Sequence, residues 1–443
     1  MIKIGIAKQD LEPILTPKRE LTDERVEAVA FYAESESLRA VWIELDFMDF
    51  NFHVVTTLQN AVSRATGIPT KHIHILTTHN HGGGEPDWDD LGEYAAKAAV
   101  KAAESARPAL MRGALCDVVE RISHIRRMYV PELGMSTTLW WGADCTMGFD
   151  SSPHTEYVIN ELKEGRLAYM NECETTRPPK PFDVSDPMTA VMEFISVDGE
   201  KIGTVIRFSS HATCSNRADY YSGDFPYNVR AEMEKHFGGT SIFFNGPCAD
   251  IAPAMRGKFD GSSKKMGRVL METAVKALDG LEFEEISVFD DAKAAIKLPV
   301  RREVLENRID LPESMPDDLT ERLKYLEAER TQNTLPFLQE KYAHGEKTLS
   351  DKVEISFGMM RLNDFVFAGF PGETFSTTGI AVRNQFQNIK IIPLTEHDRT
   401  VMYLPPEDEL PKGGYETVCR LTDAGAAEAL AQGAIDALRK FLR

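Results

Sequence analysis

The stretch Ile73-His74-Ile75-Leu76-Thr77-Thr78-His79-Asn80-His81-Gly82-Gly83-Gly84 decides the fold class. Its apolar half is too short for a helix and has the length of a strand. It then breaks into a polar, glycine-rich loop. A strand that delivers side chains onto such a loop is how α/β proteins commonly build a site. In an extended chain, residues two apart point the same way, so His79 and His81 can face one pocket. The glycines let backbone or substrate approach closely. Taken alone, the pair is also compatible with histidines at the surface or capping a core.

Upstream, alternation of apolar and polar residues marks strands at Ile2–Ala7, Val26–Tyr32 and Leu38–Leu45. Phe52–Thr66 has helical periodicity, closed by Gly67 and Pro69. Downstream, the Ala-rich Leu91–Ala106 reads as a helix. This β-β-β-α-β-α opening predicts a mixed sheet with helices packed on it. The pattern continues with strands at Met188–Ser196, Lys201–Ser209 and Ser241–Phe244, and helices at Pro226–His236 and Ser262–Leu278. Strands Glu354–Arg361, Asp364–Ala368 and Ile389–Pro393 follow, with helices at Thr374–Phe386 and Ala427–Leu442. The expected fold class is α/β: mixed sheets flanked by helices, in one large domain over 1–443. Met128–Pro187, with its Pro-rich 177–181, reads as a long irregular excursion. Val304–Lys347 is highly charged, with Leu319, Leu323 and Leu326 at helical spacing. It reads as a helical insertion, an exposed and solvated arm.

Composition narrows the function. The chain has 443 residues, 42% apolar and 27% charged, which suits a large core and a solvated surface. A net charge of −19 disfavours nucleic acid and anionic membrane, because binding phosphate needs Lys and Arg to displace counterions. A small-molecule enzyme fits better. Met1-Ile2-Lys3-Ile4-Gly5-Ile6 has none of the features of a secretory signal, and no apolar run reaches the ~18 residues of a membrane span. The expectation is a cytoplasmic protein without stable membrane association. The six cysteines form no CxxC pair and read as free thiols rather than a cysteine zinc site.

Three further polar loops resemble the first in position. His211 follows the apolar strand Ile202–Phe208. Glu373, in Pro371-Gly372-Glu373, stands where a buried strand breaks, and would open the next helix with its charge at the favourable end of the dipole. Tyr403 and Tyr415 lie on a Pro- and Gly-rich loop near the end. Each has a bland structural explanation. Together, two His, one Glu and one Tyr make an N2O2 set with room for water or substrate, as catalytic zinc favours.

The ordered set resembles the catalytic domain of the neutral, non-lysosomal ceramidases and their bacterial relatives. The resemblance is carried by Thr78-His79-Asn80-His81, Asp186-Pro187, the His211 segment, Ser222-Gly223-Asp224, Asn245 to Pro253, and Pro371-Gly372-Glu373. It implies one zinc ion held by His79, His211, Glu373 and Tyr403. It implies that His81 contacts the reacting group, that Tyr415 lies near the scissile amide, and that Arg126, in Ile125-Arg126-Arg127, is the pocket arginine. Gly246-Pro247-Cys248-Ala249-Asp250 lacks the serine that ceramidases carry there. The chain thus resembles a short, bacterial-type relative without the C-terminal β-sandwich domain.

The implied function is zinc-dependent hydrolysis of an amide, or an ester, in a small soluble or lipid-like molecule. A metal-activated water would attack, with Asp46 and Asp250 either orienting the histidines or capping a helix or turn. Two other readings stand beside it. One is a catalytically silent relative that binds a ligand or partner. The other is a metal-dependent phosphoester hydrolase, disfavoured because the candidate loops offer mainly Arg126 and Arg217 as cations.

Overall fold

The computed structural model describes residues 1–16, 19–138, 152–167, 186–214, 220–254, 262–343 and 350–443. The first large sheet contains β1 (Lys3–Asp10), β2 (Glu27–Glu34), β3 (Arg39–Leu45), β4 (Ile73–Thr77), β5 (Arg107–Asp117), β6 (Met188–Ser196), β7 (Lys201–Phe208) and β8 (Thr240–Asn245). Their spatial order is β8-β7-β6-β5-β1-β2-β3-β4, with the short Glu284–Glu285 strand added on β5. The second sheet is β9 (Phe289–Pro299), β10 (Lys352–Leu362), β11 (Phe365–Gly369) and β12 (Lys390–Leu394), in that order. The fold is α/β, with mixed sheets flanked by helices.

Side-chain alternation stacks the two sheets face to face. On β3, Ala40 and Trp42 enter the core between the sheets, where they meet Phe31, Phe194, Phe244, Phe365 and Phe367. The opposite set, Val41, Ile43 and Leu45, packs under α1 (Phe52–Thr66) and α2 (Trp88–Ser105). β3 is therefore buried on both faces and reads as a nearly continuous apolar run. A helix over Ser152–Lys163 is α3. Helices α4 (Asp224–Phe237) and α5 (Ser262–Leu278) cover β6, β7 and β8. The outer face of the second sheet is covered by α6 (Leu319–Ala343), by α7 (Ser376–Arg383), and, after the one-turn α8 (Tyr415–Val418), by α9 (Ala426–Phe441). The described layers run helix, sheet, sheet, helix.

Most neighbouring strands are antiparallel, but β3/β4, β7/β8 and β11/β12 are parallel pairs. Each pair sends its carboxyl ends the same way. The loops leaving β4, β7, β11 and β12 carry His79, His211, Glu373 and Tyr403. Ligand sites in α/β sheets form outside the carboxyl ends of strands, and here that rule gathers loops far apart in sequence.

Several expectations change. Within the supposed excursion, Arg127–Val130 and Met135–Thr138 form an antiparallel hairpin, followed by α3. The Pro-rich 177–181 and the Trp140–Trp141 pair lie outside the described residues. The charged segment after 304 is not a solvated arm throughout. Leu323, Leu326, Leu335 and Leu338 of α6 are buried, the first two against Met128, Val130 and Met135 of the hairpin and Leu162 of α3. Glu321, Lys324, Glu329 and Glu340 stay exposed, while Glu327 is buried with the leucines; the helix's partner is invisible in the local pattern. Strands β5 and β9 escape periodicity reading. β9 is rich in Asp, Ala and Lys, which are poor strand formers, and its place is set by pairing with β10 over its whole length.

Candidate metal centre

The His79 loop is held tightly against the end of β3. Asn80 donates its backbone N–H to Phe47 O at 2.9 Å, and its side chain donates to Ser222 O at 2.7 Å. A Cβ on Gly83 would stand 2.0 Å from Asp46 O, so only glycine permits this approach. His79 itself has φ 56°, a left-handed conformation that a non-glycine residue holds only when its surroundings enforce it. The loop also bridges to the next one in sequence, Asn80 pairing with Ala212. Asn245, at the end of β8, joins three loops. Its amide donates to Thr78 O at 2.9 Å and Ser210 O at 3.0 Å, and its backbone oxygen accepts from Thr395 N at 2.9 Å.

The two ligand histidines expected from sequence are oriented by backbone carbonyls. His79 Nδ1 donates to Met48 O at 3.0 Å. His211 Nδ1 lies 2.8 Å from Cys248 O and 2.9 Å from Ile251 O. A nitrogen facing a carbonyl must carry the proton, which leaves each Nε2 with a bare lone pair. Both lone pairs meet the same atom. His211 Nε2 is 3.2 Å and His79 Nε2 is 3.4 Å from Glu373 Oε2. Burial pushes both histidines well below the usual imidazole range, so they stay neutral. Neutral lone pairs and a carboxylate oxygen at this spacing repel unless a cation lies among them. The donor chemistry therefore fits a divalent metal. The nitrogen atoms of His79, His81 and His211 lie within 4.8 Å of one another, a cluster able to hold an ion.

Glu373 and Tyr403 arrive as register partners in a two-residue parallel pairing, Glu373–Thr374 with Tyr403–Leu404. This differs from the expectation that Glu373 opens a helix. The helix α7 starts only at Ser376, and Asp250 rather than Glu373 caps it, accepting Ser376 N and Ser376 Oγ at 2.8 Å each. Burial raises the Glu373 carboxyl, while His79, Arg126 and a hydrogen bond from Tyr403 pull it down. Arg126 donates from Nη2 to Tyr403 OH at 2.9 Å and from Nε to Glu416 Oε1 at 2.9 Å.

The other expected residues fall as follows. His81 is half-buried, with Nε2 3.4 Å from His79 Nε2. The Tyr415 ring packs edge-on against Tyr403, centroids 5.5 Å apart. Asp46 does not orient a histidine; its oxygens take Arg230 Nη1 and Nη2 at 3.0 and 2.5 Å and Glu27 N at 2.9 Å. Asp250 likewise serves α7. Cys248 is buried, and burial raises its thiol well above the ordinary range, which leaves it a weak nucleophile. Two carboxylates went unnoticed in the sequence. Glu396 Oε1 lies 3.5 Å from His79 Nδ1, and Glu416 is fully buried beneath Arg126. The polar run Thr395-Glu396-His397-Asp398 after apolar β12 carried the same signal as the other loops. Glu416 carried none beyond its place beside Tyr415. A groove of about 840 Å³ lies along Ile125, Arg127, Phe375 and Ser376; none of the candidate ligands is among its lining residues.

No protein-family model matches the sequence, and no curated protein matches it either. Solved structures do. The neutral ceramidase of Pseudomonas aeruginosa superimposes with a TM-score of 0.66 at 15% identity, covering 99% of this chain and 74% of that one. A ceramidase structure described as complexed with C2 gives 0.65 at 16% identity, covering 99% and 75%. The chain thus has the fold of neutral ceramidase along nearly its full described course and is shorter than either neighbour.

Proposed function

We propose that this chain is a metal-dependent hydrolase of amide bonds, with His79, His211, Glu373 and Tyr403 holding one zinc ion. The observation that carries the reading is the meeting of two neutral, carbonyl-oriented imidazole nitrogens on one buried carboxylate oxygen. Oxygen and nitrogen donors from neutral imidazole, carboxylate and phenol suit zinc. Such an ion supplies Lewis acidity, polarising a carbonyl and bringing the pKa of water from 15.7 to about 7. The names of the two structural neighbours support an amide as the bond cleaved.

The protein's own groups divide the remaining work. His81, also neutral through burial, faces the ligand cluster from the half-buried side and can carry a proton to the leaving amine. Tyr415 packs edge-on against Tyr403. Arg126, whose Nε and Nη2 are engaged, acts on Tyr403 rather than first of all on the substrate. Met48, Phe52 and Trp88 stay 42%, 42% and 43% exposed, and the Met48 carbonyl touches His79. Of these exposed apolar side chains Met48 adjoins the ligand loop and suits an apolar limb on the substrate, so a lipid-like amide is favoured over a small polar one. Among the described residues no helix is long and apolar enough to cross a membrane.

The test is metal analysis of the purified wild type, His79→Ala and Glu373→Ala, with an amide, ester and phosphoester panel on the zinc-loaded protein. One zinc per wild-type chain, its loss from both variants and cleavage of N-acyl amides are expected. Stoichiometric zinc in both variants sinks the ligand assignment. Cleavage of phosphoesters alone, or of nothing, sinks the reaction.

A further inference from the structure

Glu416 has no part in the reaction proposed above, yet it is a heavily engaged buried carboxylate near the site. Its Oε1 accepts Arg126 Nε at 2.9 Å, and its Oε2 accepts Arg127 Nη1 at 2.8 Å and Thr138 Oγ1 at 3.2 Å. The residue is fully buried, and the two guanidinium groups nonetheless hold its carboxyl below the ordinary range. Full burial of a carboxylate is tolerated only with such pairing.

From this arrangement we infer that Glu416 is a positioning residue: it fixes the guanidinium of Arg126 so that Nη2 is held on Tyr403 OH. The inference rests on the reading of Tyr403 as a metal ligand. Nε and Nη2 are neighbouring donors of one rigid planar fork. Nε is spent on Glu416 and Nη2 on Tyr403 OH, 2.9 Å each. Rotation that releases one partner therefore releases the other. A Lys in place of Arg126, with a single point charge, cannot span both.

Glu416 is itself set from outside the ligand loops. It lies in the first turn of α8, two residues after Gly414; Gly413 and Gly414 have φ 67° and 97°. Gly414 N donates to Glu327 Oε1 of α6 at 2.7 Å, and Gly413 O accepts Arg127 Nη2 at 2.8 Å. Arg127 closes the arrangement by donating Nε to Glu409 Oε2 at 3.0 Å. The helix α6 thus reaches the candidate metal centre through four links: Glu327, the Gly413–Gly414 turn, Glu416 and Arg126. The chain Arg126–Tyr403 is its only step that touches a proposed ligand.

The test is zinc affinity, by competition with a chelator, on wild type, Glu416→Gln, Arg126→Lys, Tyr403→Phe and the double variant Glu416→Gln/Tyr403→Phe. Thermal melting of each variant reports folding. Outer partners of ligands typically tune metal affinity 10–100-fold, so Glu416→Gln and Arg126→Lys are each expected to weaken zinc by about that factor. The double variant is expected to be no weaker than Tyr403→Phe alone, since both changes cut one line of action. A folded Glu416→Gln that binds zinc as wild type does overturns the inference. So does a double variant whose losses multiply. If Glu416→Gln does not fold, the same decision falls to Arg126→Lys: wild-type affinity overturns the inference and a 10–100-fold loss supports it. Wild type that takes up no zinc overturns the metal reading itself, which is distinguishable from failure confined to these variants.

Discussion

Glu373 and Tyr403 stand opposite each other as register partners of a two-residue parallel pairing, thirty positions apart in sequence and joined by a side-chain hydrogen bond. The pairing places a carboxylate and a phenol at one point without any local motif linking them. Arg126 then holds the phenol oxygen from the other side.

That relationship makes Tyr403→Phe an informative change. The ring still fills its buried place, but Arg126 Nη2 loses its acceptor in the interior. A buried donor deprived of a partner costs about 1–3 kcal/mol. Chemical denaturation should show a loss of that size, with weaker zinc binding. A variant as stable as wild type, with unchanged zinc affinity, would count against both the hydrogen bond and the ligand role.

Gly83→Ala tests how the His79 loop is held. The added methyl would lie 2.0 Å from Asp46 O, a backbone atom that cannot rotate away. The loop must shift, and His79 with it. The expected result is a folded protein with bound zinc reduced at least about 10-fold, as ligand geometry demands. Full retention of zinc would mean that the loop can move without disturbing His79.

Leu338→Ala distinguishes a packed helix from a solvated arm. Leu338 and its neighbour Leu335 on α6 are both 0% exposed. Removing a fully buried leucine side chain costs about 2–5 kcal/mol. A surface arm would lose less than about 0.5 kcal/mol. Urea midpoints of wild type and variant settle the matter.

Glu327 gives a pH signature. Burial raises its carboxyl from 4.5 to about 7, against the pull of Gly414 N and Arg127. The folded state therefore keeps a proton that the unfolded chain gives up. Its contribution to stability is complete below pH 4.5 and disappears as pH rises through 7. At 1.36 kcal/mol per unit the shift is worth about 3 kcal/mol at most. Glu327→Gln should remove this slope, leaving the variant the more stable of the two at pH 8. An unchanged slope between pH 4.5 and 7 would show that another group is responsible.

Much of the architecture was legible locally. Alternation located β1, β2 and β3, and glycine with proline closed α1 at Gly67. Strand β9 was not legible, because its Asp, Ala and Lys residues are placed by β10 rather than by their own preference. The buried side of α6 was hidden for a similar reason: its partners, Met128 and Leu162, lie far upstream. The expectation that Asp46 orients a histidine failed because Arg230, brought from α4, claims both its oxygens.

By itself the sequence determined the α/β class and the polar loops after apolar strands, which follow from side-chain period and are local. The proposed ligand set His79, His211, Glu373 and Tyr403 came from the resemblance to the neutral ceramidases. Only the tertiary structure decided that the loops after β4, β7, β11 and β12 meet at one place, and that Met48, Cys248 and Ile251 carbonyls turn both imidazoles inward. Likewise it alone decided that Glu416 lies beneath Arg126. Such contacts join residues hundreds of positions apart, and a hydrogen bond across that distance leaves no period in the chain.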